Sequence, residues 1–173
     1  PPEPVMHPDD FVLLKKSRVV PPKSQSGVLV VGVDSLLTQL SKCCRPAPPD
    51  AISGFVTRGK GVSIHRDDCH NFQSLLSRHG ERVIEVRWGT QKPGQTLLYP
   101  VEVSVEASDR QGLLRDISEV FAKEKMNVVG VKSHSVKGTA WMTFTVEVAD
   151  ASLLKRVMQS VKSVSGVGQV RRN

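Results

Sequence analysis

From Leu98 to Ala107 the chain alternates, with Val101, Val103, Val105 and Ala107 on one side and Glu102, Ser104 and Glu106 on the other. A period of two predicts a strand with one buried face. Leu113, Ile117, Val120 and Phe121 then recur at helical spacing, predicting a helix from about Gly112 to Lys125. Asn127–Val136 reads as a strand, Lys137-Gly138 as a hairpin turn, and Thr139–Val148 alternates again with Met142, Phe144, Val146 and Val148 on one face. Asp150 is placed to cap a second helix striped by Leu153, Leu154, Val157, Met158 and Val161, and Gly166 leads into a last strand ending near Val170. The order is strand, helix, strand, strand, helix, strand. That is the split βαβ pattern of a ferredoxin-like sheet with both helices on one face. The other face is left open, and Trp141, Thr143 and Thr145 alternate onto it.

The pattern upstream is less regular. Residues 1–26 hold Pro1, Pro2, Pro4, Pro8, Pro21 and Pro22, and read as an extended linker. Gly27–Val33 is a β-branched run and predicts a strand. Asp34 or Ser35 is placed to cap a short helix through Leu36, Leu37 and Leu40, which ends at Pro46. Strands follow at Ile52–Thr57 and Val62–His65, joined by a turn with Arg58 and Lys60 at its tip. Asp67 or Asp68 would cap a helix carrying Cys69, Phe72, Leu75, Leu76 and His79 on one face, with Cys69 in its first turn and Gly80 at its end. Arg82–Trp88 reads as a strand with Val83 or Ile84 inward. Gly89–Gln95, with Pro93 and Gly94, reads as a boundary. The division expected is a linker at 1–26, a first domain at 27–89, a linker at 90–96 and a second domain at 97–173. The fold class is α+β.

Charge and cysteine change the picture. The net charge is +7, spread over both halves, so anionic partners are favoured and nucleic acid leads among them. The alternative is a basic protein that is merely soluble, since no long basic run is present. No apolar stretch reaches membrane-spanning length, and three cysteines without a signal peptide point to a reducing, cytosolic setting. The first residue is Pro, so the chain reads as a piece of something longer. The cysteines lie close in sequence with one histidine: Cys43, Cys44, His65 and Cys69. Three thiols and an imidazole are a full tetrahedral ligand set for zinc, and His-x3-Cys is a conventional spacing. Adjacent cysteines are less usual, because neighbouring side chains diverge. The competing reading is three reduced cysteines packed as small apolar groups. His70 beside Cys69 reads as a solvated helix residue.

Leu40-Ser41-Lys42-Cys43-Cys44-Arg45-Pro46, followed by Gly54 through Cys69, resembles the conserved-cysteine domain of the RelA/SpoT family. Asp109-Arg110-Gln111-Gly112-Leu113-Leu114-Arg115-Asp116-Ile117 resembles the first loop and helix of an ACT domain in the same family. The resemblance covers residues 28 to 173 and is closer to the RelA type than to the SpoT type. It implies a small conserved-cysteine α/β domain, zinc-finger-like, followed by a βαββαβ ACT domain.

The resemblance also implies a setting. The family moves pyrophosphate from ATP to the 3′ hydroxyl of GTP or GDP, using magnesium or manganese, and some members hydrolyse the product (p)ppGpp. Its catalytic domains lie N-terminal of this region, and nothing in the sequence resembles them. The chain is therefore expected to be a cytoplasmic regulatory fragment rather than the enzyme. Its implied partners are those catalytic domains and the ribosome with its large-subunit RNA; it needs no membrane.

The implied zinc ligands are Cys43, Cys44, His65 and Cys69. The basic candidates for RNA are Arg45, Arg58, Lys60, Arg66, Arg110, Lys132, Lys137, Arg171 and Arg172, with Trp141 as a stacking surface. Asp109, Arg110, Gly112, Leu113 and Leu114 form the loop where ACT domains take an amino acid. The competing reading is a capping turn, with Ser108 or Asp109 as the cap. Two other regulatory roles stand beside RNA docking: an amino-acid sensor, and a homodimerisation element using the open sheet or its edges.

Overall fold

The structure, a computed structural model, describes residues 27–32, 37–59, 61–89 and 97–173. The expected linkers at 1–26 and 90–96, the helix caps Asp34 and Ser35, and Lys60 lie outside the described residues. The chain forms two compact units divided between Leu97 and Leu98, with the short segment Ala47–Pro49 grouped with the second. No helix among the described residues is long and apolar enough to cross a membrane.

The first unit contains β1 (Val28–Val30), β2 (Thr38–Leu40), β3 (Ile52–Val56), β4 (Val62–Arg66), α1 (His70–His79), a 3-10 turn (Gly80–Arg82), β5 (Val83–Ile84) and β6 (Val86–Trp88). One sheet runs β2-β4-β3-β5, and β1 pairs separately with β6. The β3–β4 hairpin closes through Thr57, whose N–H and Oγ1 both donate to the Gly61 carbonyl, at 2.9 and 2.8 Å. Gly61 has φ +80, and a Cβ there would collide with the Leu37 carbonyl, so the turn requires glycine.

Both faces of β4 are covered. Val62 and Ile64 join Val28, Val30, Val56 and Val86 in one apolar cluster. His65 points the other way, toward Cys44, Cys69 and Phe72, which form a second cluster. The first cluster is packed to contact at Gly54, where a Cβ would lie 2.8 Å from Val62 Cγ1 and 2.9 Å from Val86 Cγ1.

Several expectations for this unit are corrected. The helix through Leu40 is absent: Thr38–Leu40 is a strand parallel to β4. Val62 N donates to the Leu37 carbonyl and Ser41 N to that of Ile64, so the ladder supplies partners that one helical turn would not. Arg82–Trp88 is two strands that part at Glu85, β5 pairing with β3 and β6 with β1. Val83 and Ile84 both pack inward, Val83 on the cysteine cluster and Ile84 on the valine cluster. Neither Asp67 nor Asp68 caps α1. Asp67 accepts from Ser53 Oγ at 2.6 Å, and Asp68 pairs with Arg66 at 3.3 Å. Cys69 is itself the N-cap rather than a first-turn residue. The buried stripe of α1 narrows to Phe72, because the cluster beneath is small; Leu76 and His79 are exposed. Gly80 does end α1, as expected, as its C-cap, but in a right-handed conformation that leads directly into the 3-10 turn.

The second unit contains β7 (Tyr99–Ser108), α2 (Leu113–Lys123), β8 (Asn127–Val136), β9 (Thr139–Val148), α3 (Leu153–Lys162) and β10 (Val167–Arg172). Its sheet is antiparallel throughout, in the order β10-β7-β9-β8, which is the ferredoxin-like arrangement. The inward residues of β7 and β9 are buried as the alternation requires. Leu113, Ile117 and Phe121 of α2 and Leu154, Val157 and Val161 of α3 cover them, with Phe121 and Phe144 in ring contact at 5.2 Å. Leu153 is exposed, and Val120 and Met158 are half-buried, so each helical stripe is narrower than expected. Asp150 is not the N-cap of α3; Ser152 is, and Asp150 Oδ1 accepts the Ser152 N–H at 2.8 Å. Neither Ser108 nor Asp109 caps α2; the N-cap is Gly112 at φ +80.

Candidate functional site

Cys43 and Cys44 are carried by the tight turn that follows β2. Arg45 N donates to the Ser41 carbonyl at 3.0 Å, and Arg45 takes the left-handed φ of +42. This curvature lets two adjacent side chains aim at one point. His65 comes from β4. Cys69 comes from the N-cap of α1, where its carbonyl accepts from Gln73 N and its side chain makes no cap hydrogen bond. The thiol is thus free to turn inward.

The three Sγ atoms and His65 Nδ1 all lie within 4.8 Å of one another. Cys43 Sγ is 4.0 Å from Cys44 Sγ and 3.6 Å from Cys69 Sγ. His65 Nδ1 is 3.5, 3.9 and 3.8 Å from the sulfurs of Cys43, Cys44 and Cys69. A tetrahedron with zinc–sulfur bonds of about 2.3 Å and a zinc–nitrogen bond of about 2.0 Å has edges of roughly 3.5–3.8 Å. The donor set and the spacing therefore fit zinc. Arg66 N lies 3.4 Å from Cys44 Sγ as a donor, as suits a sulfur bearing negative charge.

Without an ion the site is electrostatically costly. Burial pushes the Cys44 thiol up to about 12, against the Arg66 N–H, which lowers it. Burial, then the bond to Cys69, raises Cys43. Burial alone lowers His65, so its imidazole is held neutral and able to ligate. A dication would offset the desolvation of the thiolates. Cys43 is exposed as a residue, which the reading of buried packing thiols does not explain. His70 is exposed and outside the cluster.

The other candidates are dispersed. Arg45 and Arg66 flank the cysteine cluster and are half-buried, and Arg58 is exposed at the hairpin turn. Lys137 lies in the β8–β9 turn. Lys132 and Trp141 lie on the open sheet face with Arg171. Arg172 is half-buried on the last strand. Arg110 is committed to its own fold. Its Nε donates to the Ser165 carbonyl at 2.9 Å, Nη1 to the Gln111 carbonyl at 3.1 Å and Nη2 to Asp116 at 2.8 Å. Asp109 is exposed, Leu113 is the buried first residue of α2, and Leu114 is exposed. Glu106, His134 and Gln169 were not singled out in the sequence, yet they share the face of Trp141. A signal for His134 existed: a two-residue turn at Lys137-Gly138 places it opposite Trp141.

Residues 28–89 match the family model of the RelA/SpoT RIS domain, and residues 95–172 that of the ACT domain. A GTP pyrophosphokinase of Streptomyces coelicolor is 42% identical over 147 residues, which is 84% of this chain and 17% of that protein. One from Escherichia coli K12 is 39% identical over 152 residues, 87% of this chain and 20% of that protein. The bifunctional (p)ppGpp synthase/hydrolase RelA of Mycobacterium tuberculosis is 43% identical over 84% of this chain and 19% of its own length. The chain thus spans about a fifth of these relatives. Among solved structures, the ACT domain from GTP pyrophosphokinase of Chlorobium tepidum aligns at a TM-score of 0.40 and 20% identity, over 44% of this chain and 86% of that one. With a RIS domain and an ACT domain in this order, and similarity to these relatives that covers 84% of the chain, the chain belongs to the RelA/SpoT family.

Proposed function

We propose that this chain is the regulatory C-terminal region of a (p)ppGpp synthetase, and that it docks the enzyme to large-subunit RNA of the ribosome. The parent enzyme would transfer pyrophosphate from ATP to GTP or GDP with a magnesium or manganese ion at catalytic domains outside this chain. The relatives named GTP pyrophosphokinase support that activity. The observation that carries the reading is the convergence of Cys43, Cys44, His65 and Cys69 to tetrahedral spacing. A zinc ion held there would tie the β2 turn, β4 and the start of α1 together, making a rigid platform from a unit with two small cores. Arg45 and Arg66 flank the cysteine cluster on that platform, and the net charge of +7 favours phosphate. Phosphate contacts release counterions, so such docking is salt-sensitive and needs no base reading.

Co-sedimentation of the parent protein with ribosomes across a salt series tests this. Arg58→Glu combined with Lys60→Glu should weaken association, most strongly at low salt, while leaving the melting temperature unchanged. Equal binding by mutant and wild type at every salt concentration would remove the hairpin from the docking surface.

A further inference from the structure

The register of the second sheet builds a defined row on its open face. His134 faces Trp141, Trp141 faces Glu106, and Glu106 faces Gln169, each as a direct cross-strand partner. The adjacent row on that face holds Lys132, Thr143, Ser104 and Arg171. Rows on one face are about 7 Å apart, two residues of rise. Together they line an open concavity of about 520 Å³. Trp141 keeps 44% of its surface exposed at its centre. Among the described residues, Glu106, Lys132 and Arg171 make no ion pair or side-chain hydrogen bond.

An aromatic ring flanked by two cations suits single-stranded nucleic acid, since any base can stack on the ring. The carboxylate is the informative group. A free carboxylate between cations repels phosphate, and so opposes RNA binding unless it takes a base. A bidentate carboxylate acceptor matches two adjacent donors. Guanine offers them on its Watson–Crick edge, at N1–H and the N2 amino group. Cytosine offers one amino group, while adenine and uracil each set an acceptor beside their donor. Unpaired bases are the ones proteins read on this edge, with an aromatic side chain beneath.

We infer that this face binds an unpaired guanine of a single-stranded RNA segment. The base stacks on Trp141, its Watson–Crick edge donates to Glu106, and Lys132 and Arg171 meet the flanking phosphates one row away. The inference rests on the RNA-docking reading above and adds the base that the second domain selects.

The test is fluorescence anisotropy of labelled RNA pentanucleotides, AAGAA and AAAAA, titrated with the 173-residue chain. AAGAA should bind about tenfold more tightly. Glu106→Gln should bring the two within about twofold, with AAAAA bound as well as before or better. Trp141→Ala should weaken both by about tenfold. Both side chains lie on the open face, and thermal melting of each variant confirms that its fold is kept. Equal affinities in the wild type, or a guanine preference that survives Glu106→Gln, would overturn the inference and leave RNA docking standing. Failure to bind either oligonucleotide, with ribosome association intact, would overturn it by placing the docking surface elsewhere. Failure in both assays would remove the docking reading as well. Binding of GMP as tight as that of AAGAA would assign the site to a free nucleotide and overturn the RNA source.

Discussion

Arg45 shows why two neighbouring cysteines can share one centre. Its left-handed backbone closes the turn from Ser41 that carries them, and their sulfurs end 4.0 Å apart. The ligand set was legible in the sequence, because the chain's only cysteines cluster with a histidine at i−4 from the last. The convergence was not, since it depends on a turn that residue spacing does not encode. His65 gives this site a pH dependence. Burial lowers its pKa from 6.5, so the folded state holds it neutral while the unfolded chain takes up a proton. Stability therefore rises with pH through the region below 6.5 and is lost as pH falls through it. The first unit's melting temperature should drop between pH 7.5 and pH 5 in chelator-treated protein, and His65→Asn should flatten that slope; an unchanged slope would mean that His65 is not the group responsible. Gly54 makes a packing prediction. An added methyl would press on Val62, Val86 and Ile84, so Gly54→Ala should cost about 1–3 kcal/mol, read as a lower thermal midpoint. An unshifted midpoint would show that the cluster has room to adjust.

At the scale of elements, legibility followed strand length. β7, β8 and β9 are ten residues each, and in β7 and β9 the alternation is long enough to fix both identity and facing. β8 has no such alternation of burial, and its edge position leaves it mostly exposed. β2 has three residues, and Leu36, Leu37 and Leu40 fit a helical turn equally well. Only pairing with β4, 24 residues downstream at Thr38–Val62, decides the matter. The break at Glu85 was invisible for the same reason, because β5 and β6 differ in partner rather than in pattern. Local pattern carries most of the second unit, where both helices and the central strands β7 and β9 follow their own periodicity. Residues 97–173 alone should accordingly give a dispersed amide NMR spectrum with the β10-β7-β9-β8 strand contacts. A random-coil spectrum would show that this unit needs the rest of the chain.

On the scale of the whole molecule, two small units share a basic charge, and each holds a distinct kind of chemistry. The first concentrates its soft ligands at the junction of a turn, a strand and a helix start. The second leaves a sheet face uncovered, with an aromatic residue at its centre. The account depends most on the first of these. Zinc stoichiometry with X-ray absorption at the zinc edge, on protein purified without chelator, tests it most directly. One zinc per chain is predicted, with three sulfurs at about 2.3 Å and one nitrogen at about 2.0 Å, lost together in Cys69→Ser. Protein without zinc, or zinc in a shell of oxygen and nitrogen that survives Cys69→Ser, would contradict the metal site and leave the cysteines as packing residues.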